Sequence, residues 1–243
     1  MLNKAYLSIL KSKKANKKLF ALLIDPDKFD VSVLKKATLS KVDFILIGGS
    51  LITNGNFEAC IEVIKKNCKI PLLIFPGNEL QISSKADGIL LLSLISGRNP
   101  DLLIGKHVLA APLLKKSKLE IIPTGYMLID SGKQTAALYM SNTNPIPYSQ
   151  NEIAMSTAMA GEQLGMKMIY MDAGSGAEKC VSANMIKKVK SVIDIPLIIG
   201  GGINSVQKAK DACKAGADIV VVGNAIEKDS ALLEKIVKTV HSF

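Results

Sequence analysis

Eight short apolar runs, separated by segments of helical period, limit the possible folds of this chain more than any other feature. They are Phe20–Ile24 (FALLI), Phe44–Ile47 (FILI), Pro71–Phe75 (PLLIF), Ile89–Leu92 (ILLL), Leu119–Ile122 (LEII), Met168–Met171 (MIYM), Pro196–Ile199 (PLII) and Ile219–Val222 (IVVV). The runs are nearly continuous rather than alternating, which suits strands buried on both faces of a parallel sheet. The intervening segments show helical faces behind capping residues. Asn56 precedes Phe57, Cys60, Ile61 and Ile64; Ser182 precedes Met185, Ile186 and Val189; Ser205 precedes Val206, Ala209 and Ala212, with Gly216 as the stop. Helices are also predicted after Asp30 and Asp229, and over Asn151–Leu164. Eight such alternations in 243 residues predict an α/β fold, a (β/α)8 TIM barrel forming one domain over residues 1–243, with a doubly wound open sheet as the alternative. One connection, around 97–118, is expected to be irregular and non-helical, because Gly97, Pro100, Gly105 and Pro112 interrupt it. Residues Ser141–Gln150 read as a polar loop.

The cysteines, Cys60, Cys68, Cys180 and Cys213, form no C-x-x-C pair and lie far in sequence from His107 and His241. That spacing gives neither a zinc signature nor a compact disulfide framework, and predicts buried thiols in a reducing compartment. No signal-peptide pattern opens the chain, and the strongest apolar stretch, Gly88–Gly97, falls short of the roughly 20 residues of a spanning helix. A soluble, cytoplasmic protein is expected.

Lysine and arginine total 31 against 21 acids, a formal charge of +10 that favours an anionic partner. With only 5% aromatic residues, a basic face interleaved with stacking platforms is not expected, and neither is a nucleic-acid partner. Six of the ten excess charges sit in residues 1–18, as Lys4, Lys11, Lys13, Lys14, Lys17 and Lys18 with no acid. Leu2, Tyr6, Ile9 and Leu10 share one helical face of this arm. It reads as a helix closing the barrel bottom, with peripheral membrane contact as the second reading.

In such barrels, chemistry collects at the C-terminal strand ends. Glycine-rich turns follow the sixth, seventh and eighth runs: Asp172-Ala173-Gly174-Ser175-Gly176, Gly200-Gly201-Gly202 and Gly223-Asn224. Any one could be a tight turn; three in barrel order predict a backbone cradle for phosphate. Asp25 and Asp27 follow the first run, and Gly48-Gly49-Ser50 the second. The Asp25 carboxylate with the Ser50 hydroxyl would suit Mg2+ shared with substrate phosphates; the other reading of Asp25 is an Asp-Pro turn. Lys28 is either a point charge at that site or a surface lysine. Tyr170 and Asp172 end the sixth run, where a carboxylate can orient or deprotonate a hydroxyl, or simply cap the turn. Pro123-Thr124-Gly125-Tyr126 is expected to follow the fifth strand, with Tyr126 either lining an apolar groove beside 97–118 or filling core.

In order and spacing, FALLIDPDK, DFILIGGS, IPTGYMLID, YMDAGSGA, PLIIGGGI and VVGNAIE closely resemble the geranylgeranylglyceryl phosphate synthase family, prenyltransferases of archaeal lipid synthesis with bacterial members. The IPTGYMLID segment resembles the family's larger, oligomeric group II branch, which implies a homo-oligomer, dimer or hexamer. The resemblance implies a Mg2+-dependent reaction. The free hydroxyl of sn-glycerol 1-phosphate attacks C1 of a long-chain all-trans prenyl diphosphate, with geranylgeranyl diphosphate the expected donor. An ether forms and pyrophosphate leaves. By position, Asp25 and Ser50 match the family's Mg2+ ligands. Tyr170, Met171, Asp172, Ala173, Gly174, Ser175, Gly176, Gly201, Gly202, Gly223 and Asn224 match its glycerol-phosphate site, with Asp172 and Tyr170 as the catalytic pair. Many members carry Glu where this chain has Asp172. Lys28 and Tyr126 would touch the diphosphate and the prenyl chain. The competing expectations are another phosphate-binding barrel enzyme of metabolism and a non-catalytic phosphate-binding barrel.

Overall fold

Each apolar run becomes a strand of one closed sheet. A computed structural model describes residues 4–243; Leu2 of the predicted arm face lies outside them. The strands are β1 (Leu19–Ile24), β2 (Phe44–Ile47), β3 (Leu72–Ile74), β4 (Gly88–Leu94), β5 (Glu120–Leu128), β6 (Met168–Asp172), β7 (Leu197–Gly200) and β8 (Ile219–Val222). They pair in parallel in chain order, and β8 closes on β1 with Ala21 opposite Val221. The two-residue period along each strand sorts side chains into two cores. Ala21, Phe44, Leu46, Leu73, Met168 and Tyr170 fill the barrel interior. Their neighbours Phe20, Leu22, Ile45, Ile47, Leu72 and Ile169 face the surrounding helices.

The helices are α1 (Lys4–Lys14), α2 (Ser32–Leu39), α3 (Phe57–Asn67), α4 (Lys106–Ser117), α5 (Ala136–Ser141), α6 (Asn151–Gln163), α7 (Ala183–Lys190), α8 (Val206–Ala215), α9 (Asn224–Lys228) and α10 (Leu232–Val240). The predicted caps are in place. Asn56 Oδ1 accepts from the Ala59 N–H at 3.0 Å, Ser182 Oγ from Met185 at 3.1 Å, and Ser205 Oγ from Lys208 at 3.2 Å. Gly216 ends α8 at φ 114°, a left-handed position that favours glycine.

Helix α1 closes the barrel at the N-terminal ends of the strands. Ala5 and Ile9 join the interior core. The Ala5 and Tyr6 N–H groups, free at a helix start, donate to the Glu120 carboxylate at 2.8 and 2.9 Å. The Tyr6 hydroxyl donates to the Lys167 carbonyl at 3.1 Å. The arm therefore sits at the end opposite the mouth where the site residues gather. Among the described residues, no helix is long and apolar enough to cross a membrane. All four cysteines are free; Cys60, Cys68 and Cys213 are buried.

Two expectations are corrected. The 97–118 connection is helical: a π-helical turn, Asp101–Gly105, runs directly into α4. Its period was obscured because Ile104, Val108, Leu109 and Leu113 face outward and are exposed, so the segment is apolar all round and shows no single stripe. Gly105 and Pro112 lie within the helical segment rather than ending it. In addition, β5 continues to Leu128, so Pro123-Thr124-Gly125-Tyr126 lies inside the strand. Gly125 does not mark a turn. A Cβ there would lie 2.8 Å from Ile95 Cδ1 and 2.9 Å from Ile169 Cδ1. The same two atoms would crowd a Cβ on Gly161 of α6, so the two glycines let helix and strand approach closely.

Candidate active site

The Asp172 carboxylate is the best-defined reactive group at the barrel mouth. It ends β6, is 7% exposed, and both of its oxygens are engaged. The Gly174 N–H donates to Oδ1 at 2.7 Å and the Tyr126 hydroxyl donates to Oδ2 at 2.6 Å. Burial raises the Asp172 carboxyl above its usual value, and the two hydrogen bonds oppose that rise. Burial, reinforced by the Asp172 charge, holds the Tyr126 phenol well above its ordinary value, so Tyr126 remains a donor. The sequence alone sets Tyr126 against a groove or in the core, with no contact to the acid. Its bond to the acid depends on strand register, with Tyr126 opposite Tyr170 and Leu128 opposite Asp172.

Tyr170 itself is buried below Asp172, inside the barrel. It stacks on Phe75 at 5.1 Å and meets Tyr126 edge-on at 5.6 Å. Phe75 and Tyr126 are 5.8 Å apart. These three rings make an aromatic floor beneath the acid. A Cβ on Gly200 would lie 2.3 Å from the Tyr170 hydroxyl oxygen, so glycine at the end of β7 makes room for that ring. Met171 and Ala173 point outward into the helix-facing core and contribute backbone only.

The glycine turns converge beside the acid. Gly174, Gly176, Gly201 and Gly202 have φ of 89°, 70°, 79° and 70°, conformations that L side chains rarely adopt. A Cβ on Gly201 would lie 2.5 Å from the Gly174 nitrogen and 2.6 Å from Asp172 Oδ1, so the β6 and β7 turns touch there. Asn224 Nδ2, following β8, donates to Ser175 Oγ at 2.7 Å. Among the described residues, the N–H groups of Ser175, Gly176 and Gly202 have no protein acceptor. Such an array of backbone donors suits an anion.

Asp25 caps the short 3-10 turn Pro26–Lys28, accepting from the Asp27 N–H at 3.1 Å. Its Oδ2 lies 3.3 Å from Lys28 Nζ, which also reaches Glu227 Oε2 of α9 at 3.8 Å. The turn reading of Asp25 therefore holds, and its carboxylate stays partly exposed at the mouth. A Cβ on Gly49 would stand 3.4 Å from Asp25 Oδ1, so the Gly48–Ser50 turn packs alongside. Among the described residues, no cluster of three or more His, Cys, Asp or Glu could hold a metal. One carboxylate and one hydroxyl do fit Mg2+, which keeps waters and borrows phosphate oxygens instead of needing a protein cage.

Two residues that order this side were not anticipated in their roles. Asp27 is a buckle: it accepts from Thr53 N at 2.8 Å, Thr53 Oγ1 at 2.9 Å and Asn54 N at 3.0 Å, and also from the Gly55 N–H. These bonds hold its carboxyl down at about 2. Gln81, buried at 4% exposure, donates to the Gly49 carbonyl at 2.8 Å and accepts from the Gly77 N–H at 3.1 Å. It fastens the β2 and β3 turns together. From these turns an apolar groove runs outward past Phe75, Ile82, Leu91, Ala110, Leu114 and Tyr126, between β4 and α4.

The fold thus defines a (β/α)8 barrel whose buried acid, donor-rich glycine turns and apolar groove share one mouth. The pattern of the PcrB family matches residues 11–242, and the chain belongs to that family. A geranylgeranylglyceryl phosphate synthase of Chitinophaga pinensis is 52% identical, over 100% of this chain and 98% of the relative. One from Pyrococcus horikoshii is 41% identical, over 91% and 89%. The crystal structure of (S)-3-O-geranylgeranylglyceryl phosphate synthase from Thermoplasma acidophilum, in complex with substrate sn-glycerol-1-phosphate, superposes with a TM-score of 0.92, 32% identity and 98% coverage of both chains.

Proposed function

We propose that this chain is a prenyltransferase of ether-lipid synthesis. It joins the free hydroxyl of sn-glycerol 1-phosphate to C1 of a long-chain all-trans prenyl diphosphate, with geranylgeranyl diphosphate as the donor. One observation carries the assignment of roles: Tyr126 touches both the apolar groove and the buried acid. The two substrates would thus meet at Asp172.

The Ser175, Gly176 and Gly202 N–H groups with Asn224 hold the phosphate of the acceptor. This places its free hydroxyl near Asp172, and fixing both reactants supplies proximity. The raised basicity of the buried carboxylate suits it to take the hydroxyl proton as the oxygen bonds to C1. The C1–O bond to the diphosphate breaks, and its electron pair leaves with pyrophosphate. Lys28, next to Asp25, faces the diphosphate as a point charge. Asp25 and Ser50 would hold Mg2+, whose chemistry would be to offset the charge of the leaving group. Positive charge developing on the allylic carbon meets the rings of Phe75 and Tyr126, which line the groove. The groove takes the prenyl chain.

The working form is a homo-oligomer. The exposed apolar residues Ile104, Val108, Leu109 and Leu113 form a surface that a second copy would cover. The setting is the cytoplasm. Peripheral contact of the basic arm with lipid would occur at the barrel end away from the groove. The test is pyrophosphate release from geranylgeranyl diphosphate with Mg2+, with and without sn-glycerol 1-phosphate. Release only with the acceptor is expected; equal release without it would show hydrolysis and overturn the assignment.

A further inference from the structure

The phosphate cradle as read above is made of neutral donors, yet a phosphate monoester carries close to two negative charges. The Lys133 ammonium stands over the cradle's Gly176 side, while Lys208 Nζ donates to the Gly202 carbonyl at 3.1 Å. Lys133 lies in the β5–α5 loop, which the fold lays across the β6 turn. The Lys179 N–H donates to the Ser131 carbonyl at 3.1 Å, and a Cβ on Gly174 would lie 2.6 Å from Thr135 Oγ1. The loop is thereby fastened on both sides of Lys133. A Cβ placed on Gly176 would be 3.9 Å from Lys133 Nζ and 3.9 Å from Asn224 Nδ2. The ammonium and the amide therefore flank the same glycine, whose N–H has no protein acceptor among the described residues. Asp130 accepts from the Gly132 N–H at 3.0 Å, and Glu178 is a second nearby acid, packed against Gly132. Among the described residues, however, Lys133 forms no ion pair with it or with any other carboxylate.

We infer that Lys133 is a binding residue for the phosphate of the acceptor, closing the cradle from the strand-five side and supplying its positive charge. This inference rests on the proposed function and adds a residue to that site. A lysine suits the task because it is a compact charge on a flexible stem, able to follow a phosphate without fixed geometry. Its loop lies beyond β5, outside the late-strand turns that announce the cradle in the sequence.

The test compares wild type, Lys133→Ala and Lys133→Arg, by direct binding of inorganic phosphate and of sn-glycerol 1-phosphate at two salt concentrations, and by steady-state kinetics. Losing a charge-assisted contact is expected to weaken binding of both probes about 10- to 100-fold and to flatten the salt dependence. It should raise KM for the acceptor with little change in kcat, and Lys133→Arg should recover most of the affinity. Unchanged affinity in Lys133→Ala would overturn the inference, as would a wild type that binds neither probe. Lys133-dependent binding of phosphate by a wild type that ignores sn-glycerol 1-phosphate would uphold the inference and count against the assigned acceptor. A loss of kcat with unchanged affinity would also overturn it.

Discussion

The Tyr126 hydroxyl donates to Oδ2 of Asp172 across 2.6 Å, from one barrel strand to the next. The bond does two related things. It supplies the buried carboxylate with a partner that burial would otherwise deny it, and it restrains the rise in basicity that burial imposes. A carboxylate held this way is both oriented and still able to accept a proton.

Tyr126→Phe removes that donor and leaves the ring in the groove. The Asp172 carboxyl then rises further, because the lost bond favoured its ionised form. The rate requires the ionised form, so the acid limb of the kcat profile should move to higher pH, with kcat down about 10- to 100-fold at neutral pH. A rate–pH series of the two proteins checks this. A limb that stays in place would mean that Asp172 is not the titrating base.

Asp172→Asn keeps the shape and removes the base. Turnover should fall far more than affinity for sn-glycerol 1-phosphate, because the cradle donors remain. Equal losses in kcat and binding, read by steady-state kinetics and calorimetry, would reduce Asp172 to a positioning group.

Asp25→Ala should abolish turnover and leave the fold intact, at the cost of a cap worth about 1 kcal/mol. Circular dichroism reports the fold. Near-normal activity in excess Mg2+ would refute a ligand role for Asp25.

Asp27→Asn tests the buckle separately from the chemistry. The wild-type carboxyl is held at about 2 against a usual 3.8. Its contribution to stability is therefore present above the unfolded value and is lost as pH falls from about 4 through about 2. The variant should melt below wild type at neutral pH, and the gap should narrow as pH drops through that window. Thermal unfolding across pH measures it. A gap independent of pH would assign the loss to something other than the ionised carboxylate.

The eight runs and their caps could be read from local sequence because each depends on residues close in the chain. Asn56, Ser182, Ser205 and Gly216 cap as their neighbours require. The glycine turns and Asp25 were legible for the same reason. What the sequence concealed depends on distant partners. Gly125 looks like a turn until α6 and Gly161 are set against it. The 101–117 helix hid behind an apolar outer face. Asp27 drew attention as a second carboxylate at the mouth, whereas its partners 26 to 28 residues away make it a loop fastener. No spacing rule brings Tyr126 to Asp172, which lie 46 residues apart; strand register does.

The central claim is that an alcohol and an allylic diphosphate are joined at one mouth. Its most direct test is mass analysis of products from sn-glycerol 1-phosphate, Mg2+ and a ladder of all-trans prenyl diphosphates of increasing length. The account predicts a prenyl ether of glycerol phosphate, one pyrophosphate per ether, and a preference for the long donors that fill the groove. Absence of any ether across the ladder, or conversion of a phosphorylated substrate with no prenyl donor present, would contradict it.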